Sequence, residues 1–193
     1  MRVSLLPVVF LISLGLIACD REAEEADLNE EPPDEQQRIT ASIPLLVGTP
    51  SSVAVDPVSE KIYVAYTDVD VLSVLSTDSL ELTATVDLPA GGLHSVAVNP
   101  ASDKVYVANS TDGTVYVLDG DTNEVIKRLQ VPNGSVTHHA TAIITDPDTN
   151  RIYVSRVDGQ EYGMTVIDGD RDVAVGKVAL NGPAHAMAFD STT

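Results

Sequence analysis

The chain has 193 residues, the length of one domain with a tail, and 44% of them are apolar, which is enough for a packed core. Its formal net charge is −18, and an acidic surface of this kind repels phosphate backbones, so we expect no nucleic acid among its partners. The single cysteine, Cys19, excludes a disulfide within the chain.

Residues 1–19 have the pattern of a secretory leader. Arg2 precedes an apolar run over 3–17, which is too short for a membrane span of about 20 residues. The run ends in Leu16-Ile17-Ala18-Cys19, which resembles the lipobox of bacterial lipoproteins. The resemblance implies that Cys19 is lipidated and becomes the mature N-terminus. We therefore expect a protein held on a bacterial membrane by its lipid anchor, facing the periplasm or the exterior; the alternative is an ordinary signal peptide that contains a cysteine.

Residues 20–38 hold nine acidic residues against Arg21 and Arg38 and show no apolar periodicity. Like charges without a hydrophobic face favour a disordered tether between the anchor and the domain. An acidic docking tail is the alternative.

Residues 39–193 contain a repeat with a period of 43 to 47 residues. It is clearest at three tyrosines, each within an apolar segment, and at the Asx-Pro pair before each of them: Asp56-Pro57 with Tyr63, Asn99-Pro100 with Tyr106, and Asp146-Pro147 with Tyr153. Every unit has four short segments rich in Val, Ile and Tyr, mostly alternating in polarity, with turn residues between them. Each unit is therefore expected to be a four-stranded antiparallel meander. One such sheet cannot bury both faces, and radial stacking of several predicts an all-β fold, the β-propeller.

The repeat also predicts where the blades begin and end. The expected segments of the partial propeller 39–193 are an outer closing strand at 38–47, blades at 51–88, 94–131 and 140–180, and the start of the next blade at 185–190. A chain with three blades and one further strand does not close a ring of four to eight blades. We expect an N-terminal fragment of a larger protein; the alternative is a short chain that closes by self-association.

The element Tyr106-Val-Ala-Asn109, between Asn99-Pro100 and the Asp-Gly-Asp-Thr-Asn segment at 119–123, resembles the YVTN family of β-propeller repeats. This resemblance implies seven blades in the full-length protein and export from the cell. It implies no particular chemistry, because most members of the family lack an assigned one.

Three histidines fall near the start of successive inner strands, where loops would form one rim of the propeller channel. His94 lies five residues before Asn99 and His185 five before Asp190, while His139, with His138, is displaced by about two residues. Ser51 holds the matching place in the first unit. We regard His94, His139 and His185 as candidate ligand-binding residues of the rim. They are either metal ligands or simple polar rim residues.

Two acidic segments mimic the start of a calcium loop, Asp119-Gly120-Asp121 and Asp168-Gly169-Asp170. Neither continues with the glycine and distant glutamate of an EF-hand, and both fall where the repeat requires a hairpin turn. The sequence therefore predicts turns at both.

The sequence contains no nucleophile elbow, phosphate loop or dinucleotide fingerprint. The preferred hypothesis is thus an envelope-anchored binding or scaffold module without catalysis and without a cofactor, whose channel rim takes a protein partner or a small ligand. The alternatives are a periplasmic enzyme, either a lactonase-like hydrolase or a cofactor-dependent oxidoreductase, and binding of a transition metal by the rim histidines.

Overall fold

A computed structural model describes residues 48–89, 91–131, 138–158 and 161–189, and leaves the side chains of His138, His139 and Asp158 undescribed. The leader, the tether and the expected closing strand at 38–47 lie outside these residues. The described part contains twelve strands and no helix. The strands are β1 Pro50–Asp56, β2 Lys61–Tyr66, β3 Val71–Ser76, β4 Leu82–Asp87, β5 Leu93–Asn99, β6 Lys104–Asn109, β7 Thr114–Asp119, β8 Val125–Gln130, β9 His138–Asp146, β10 Arg151–Asp158, β11 Glu161–Asp168 and β12 Val173–Leu180.

The strands form three separate four-stranded sheets, each an antiparallel meander in chain order. β1–β4 make the first blade, β5–β8 the second and β9–β12 the third. The first strands of neighbouring blades, β1, β5 and β9, contact each other directly, so they form the inner side of the arrangement. The expectation of propeller blades with four antiparallel strands is confirmed.

The turn between the first two strands of each blade follows the chemistry of its Asx-Pro pair. In the first blade the Asp56 carboxylate accepts hydrogen bonds from the backbone N–H groups of Val58 at 2.9 Å and Ser59 at 3.3 Å. Asp146 makes the corresponding bonds in the third blade, and Asn99 accepts from Ala101 at 3.1 Å in the second. These bonds satisfy the backbone of the turn, which explains why an Asx residue opens it in every repeat.

Apolar side chains from facing sheets fill the space between blades. One cluster joins the first and second blades and includes Leu72, Val74, Val96 and Leu118, all at most 5% exposed. A second cluster joins the second and third blades on the opposite face of the second sheet, and it includes Val117, Ile152 and Ile167. Alternate side chains along the strands of the second sheet thus pack against the first blade and against the third blade.

A polar contact also joins each pair of blades, and we call it the turn joint. In the first one, Lys61 of β2 donates through Nζ to the carbonyl oxygens of Gly120 and Asp121, and the Tyr63 hydroxyl lies 3.3 Å from Asn123 Oδ1. All three acceptors belong to the β7–β8 turn of the second blade.

The second turn joint repeats the first one blade later. Lys104 Nζ donates to the Gly169 carbonyl oxygen at 2.7 Å and forms an ion pair with Asp172 at 2.8 Å. The Tyr106 hydroxyl donates to the other Asp172 oxygen at 3.2 Å. A Lys-x-Tyr segment on one blade thus binds the Asp-Gly turn of the next.

The two tyrosines of the turn joints are fully buried. Burial raises the pKa of the Tyr63 phenol well above its usual range, and the nearby Asp56 and Asp103 carboxylates raise it further. The pKa of Tyr106 is raised in the same way by burial and then by Asp172. Both phenols therefore stay neutral, which is the state that donates the hydrogen bond across the joint.

Residues 185–189, where the start of a further blade is expected, are not assigned to any strand within the described part of the chain. They follow β12 and lie beside the third blade, where Met187 and Phe189 line a cavity together with Tyr153.

No helix among the described residues has the length and apolar character needed to cross a membrane.

Candidate functional site

Each inner strand carries a β-bulge at the same place. The pairing register slips between Pro50 and Ser52 in β1, between Leu93 and Ser95 in β5, and between Ala140 and Ala142 in β9, opposite Ser155 and Arg156. The extra residues at these bulges are Ser51, His94 and Thr141. A bulge breaks the alternation of the strand and redirects a side chain, so three consecutive blades direct an extra polar residue in the same way.

The extra residues converge on one pocket, which we call the channel pocket. It has a volume of about 230 Å³ and is open to solvent. Its lining consists of Ser51, Ser52, His94, Ser95, Thr141, Ala142, Ile143, His185, Ala186 and Met187. Among these lining residues, only His94 and His185 have side chains that can carry a charge.

Hydrogen bonds run from each extra residue to the backbone of the following unit. The Ser51 hydroxyl donates to the Leu93 carbonyl oxygen at 2.7 Å. His94 Nδ1 lies 2.8 Å from the Thr141 carbonyl oxygen, and the Thr141 hydroxyl donates to the carbonyl oxygen of Ala184 at 3.1 Å. This series of contacts links all three blades to residue 184 around the pocket.

A second series runs beside the first. Ser52 Oγ accepts a hydrogen bond from the Val96 N–H, and Ser95 Oγ accepts one from the Ile143 N–H, both at 3.2 Å. The third blade has Ala142 in the corresponding position, and there Ser155 Oγ accepts the Ala142 N–H at 2.9 Å. Most hydroxyl groups of the channel pocket therefore hold blades together.

The hydrogen bond of His94 fixes its tautomer. A carbonyl oxygen can only accept, so Nδ1 of His94 carries the proton that is donated to Thr141. In the neutral ring, Nε2 then has a free lone pair, which can accept a hydrogen bond or bind a metal ion. His94 is half-buried and thus held in one orientation, whereas His185 is exposed.

The structure brings His94, His185 and Ser51 to one pocket, as their shared register in the sequence predicts. In the third blade Thr141 occupies that register, and His139 lies two residues earlier in the same strand, with its side chain outside the described part. Cys19 also lies outside it. Among described residues, no three His, Cys, Asp or Glu side chains come together in a way that could hold a metal ion.

The two acidic segments that mimic calcium loops are turns. Asp119 Oδ1 accepts hydrogen bonds from the Thr122 backbone N–H at 2.8 Å and from its hydroxyl, and these bonds hold the pKa of Asp119 below its usual range. Asp168 accepts from the Asp170 and Arg171 N–H groups and pairs with Arg151 at 2.6 Å. Both carboxylates are thus used within their own turns, as the repeat predicts.

No protein-family model matches the chain, and no curated protein matches it significantly. A solved structure, hydrazine synthase of Kuenenia stuttgartiensis, is similar to it with a TM-score of 0.59 and 19% sequence identity. The match covers 72% of this chain but only 38% of that one. At this identity the similarity supports the arrangement of blades and nothing about activity.

Proposed function

We propose that this chain is an envelope-anchored propeller module that binds a small polar ligand in the channel pocket without catalysing a reaction. The observation that carries the proposal is the register of the bulges, which directs Ser51, His94 and Thr141 to one solvent-open pocket. Small-molecule sites combine a preformed concavity with a few converging polar groups, and the channel pocket has both features.

The hydroxyl groups of the channel pocket already donate hydrogen bonds within the protein, and this supports binding over catalysis. A serine nucleophile needs its proton taken by an adjacent base, whereas Ser51 donates its proton to the Leu93 carbonyl oxygen and Thr141 donates to Ala184. His94 uses Nδ1 to hold the third blade. What His94 offers a ligand is Nε2, a single well-oriented acceptor.

Saturation-transfer NMR on the purified chain tests this proposal, with a mixture of small sugars, amino acids and dicarboxylates as the probe. We expect signals from at least one compound, weakened at least tenfold in His94→Phe, since loss of an oriented hydrogen bond costs about 1.5 kcal/mol or more. Asp148→Asn, an exposed change in a distant turn, is the control. If no compound binds, or if binding is the same in His94→Phe and the parent chain, the channel pocket is not the ligand site.

The fixed tautomer of His94 favours a second candidate, a transition metal held by His94 Nε2 with His185 and water or ligand atoms. Calorimetric titration with Zn²⁺ and with Cu²⁺ distinguishes it from the first. Metal binding that disappears in the His94→Ala, His185→Ala double variant supports a metal site. Metal binding that survives both substitutions assigns the metal to another part of the chain.

The anchor is the remaining part of the proposal, and it is supported by the Leu16-Ile17-Ala18-Cys19 segment alone. Labelled palmitate should enter the parent chain in bacteria and should not enter Cys19→Ser. A parent chain that fractionates with soluble proteins and carries no label would contradict the anchor and leave the channel pocket unaffected.

A further inference from the structure

The third blade carries the donor half of a turn joint. Arg151 and Tyr153 on β10 occupy the positions of Lys61 and Tyr63 on β2. Arg151 pairs with Asp168 of its own blade and its side chain remains 36% exposed, compared with 17% for Lys104 in the second turn joint. No described residue accepts a hydrogen bond from the Tyr153 hydroxyl.

The apolar face beside this donor pair is also open. Tyr153, Ile144 and Met164 are only half-buried, and they line a cavity of about 310 Å³ together with Met187 and Phe189. Phe189 is 42% exposed. The corresponding tyrosine of the second blade, Tyr106, is fully buried because the third blade covers it.

Residues 184–189 already occupy the place of an inner strand on this face. The Thr141 hydroxyl donates to the Ala184 carbonyl oxygen, just as the Ser51 hydroxyl of the first blade donates to Leu93 at the start of β5. His185 and Met187 then follow in the same order as His94 and Val96. The segment therefore supplies the first edge on which a sheet can be completed.

We propose that this open face binds a fourth blade completed on residues 184–189, whose β7–β8-like turn has the form Asp-Gly-x-x-Asx and is held by Arg151 and Tyr153. Both filled turn joints define this chemistry. Their acceptors are turn carbonyl oxygens together with the Asn123 amide in one case and the Asp172 carboxylate in the other.

The first blade of a second copy lacks the side-chain acceptor that both filled turn joints have. Its turn between β3 and β4 reads Ser76-Thr77-Asp78-Ser79-Leu80, so Leu80 stands where Asn123 and Asp172 stand in the other blades. Leu80 shares their positive φ, at 58° against 60° and 49°, but its side chain has no acceptor for a tyrosine hydroxyl. The turn chemistry thus selects a blade of the second or third type over head-to-tail association.

An extended chain tests the proposal. Residues 190–193 are replaced by a copy of residues 99–131, which adds the equivalents of β6, β7 and β8 in register after Phe189. We expect Tyr153→Phe to lower the thermal midpoint by about 3 °C in the extended chain and by less than 1 °C in the parent chain, because only the extended chain offers an acceptor. Nitration of Tyr153, mapped by mass spectrometry, should fall at least fivefold on extension.

The matched control extends the chain with residues 56–88, whose turn has leucine at the acceptor position. The Tyr63 hydroxyl also lies 3.3 Å from the Gly120 carbonyl oxygen, and a turn with leucine keeps such a carbonyl. The control should therefore make the effect of Tyr153→Phe smaller than the first extension does, and so should an Asn→Leu change at the copied Asn123. Unchanged nitration of Tyr153 after the first extension would overturn the proposal, whether or not the added blade folds. A parent chain that dimerises in sedimentation and loses the dimer on Tyr153→Phe would overturn it in favour of a second copy.

Discussion

The first and second blades place the same residue at the same position and expose it very differently. Val53 in β1 is 63% exposed, whereas its equivalent in β5, Val96, is 5% exposed because the first blade covers it. The repeat thus specifies which side chains face a neighbour. Whether those side chains are buried depends on the presence of a neighbouring sheet. The pattern of a strand therefore does not by itself predict the burial of its side chains.

The largest expected effect comes from placing a charge at these two equivalent positions. Val96→Asp should lower the free energy of unfolding by at least about 3 kcal/mol, since it buries a carboxylate without a partner. Val53→Asp should change it by no more than about 0.5 kcal/mol. Urea denaturation followed by circular dichroism measures both.

Val98→Asp and Val55→Asp repeat this comparison two residues further along the same strands, where Val55 is 55% exposed and Val98 is half-buried. If Val53→Asp lowered the free energy of unfolding as much as Val96→Asp does, the open face of the first blade would be covered in solution. The contrast between the two blades would then disappear.

A smaller effect is expected at the second turn joint. Asp172→Leu introduces the residue that the first blade has at this position and leaves the buried Tyr106 hydroxyl without its acceptor. It should lower the free energy of unfolding by about 2–3 kcal/mol. The converse change, Leu80→Asp, should be neutral or slightly stabilising, because Leu80 has positive φ and belongs to neither of the two described turn joints.

Asp172→Asn is the matched control, since it keeps an acceptor and resembles Asn123 in the first turn joint. In denaturant melts it should cost less than half as much as Asp172→Leu. If Tyr106→Phe is as costly in the Asp172→Leu background as in the parent chain, the hydroxyl does not act through Asp172 and the joint needs another explanation.

The blades could be predicted from the sequence because their signals are local. Asp56, Asn99 and Asp146 each cap a turn through bonds to residues two or three positions away, so the sequence spacing contains the whole interaction. The alternation of Val, Ile and Tyr likewise reflects the geometry of a single strand. These features need no knowledge of the neighbouring blade.

The channel pocket was only partly predictable. The shared register identified His94, His185 and Ser51, but in the third blade the histidine at 139 was preferred to Thr141, which lies two residues later. Counting back from the Asx-Pro pair would have found Thr141, because it lies five residues before Asp146, as His94 does before Asn99.

The turn joints were missed for a different reason. Their two halves lie 57 to 68 residues apart in the chain, and neither half suggests a contact by itself. The Lys-x-Tyr segments of the first and second blades and the Asp-Gly turns that follow β7 and β11 were a usable signal, since each of them recurs one blade later. The first blade, with Thr77 and Leu80 instead, weakened that pattern.

The smallest expected effect is a loss of stability above pH 10. It reports on the two buried tyrosines of the turn joints. Tyrosines of the unfolded chain lose their protons near pH 10, whereas burial keeps Tyr63 and Tyr106 protonated to a higher pH because it raises their pKa. The folded state then holds more protons than the unfolded state. Stability is therefore fully present below pH 10 and should fall above it by about 1.4 kcal/mol per pH unit for each tyrosine.

Denaturant melts between pH 9 and 11 measure this slope, and Tyr106→Phe should remove the contribution of one joint. Lys104 contacts the same carboxylate, so Lys104→Arg, which replaces the ammonium with a guanidinium that stays protonated, is the control that separates the two groups. A slope that persists in Lys104→Arg and is reduced in Tyr106→Phe assigns the alkaline loss to the buried phenol. The opposite pattern would mean that the joint depends on the ammonium–carboxylate pair, and the tyrosine would then contribute packing alone.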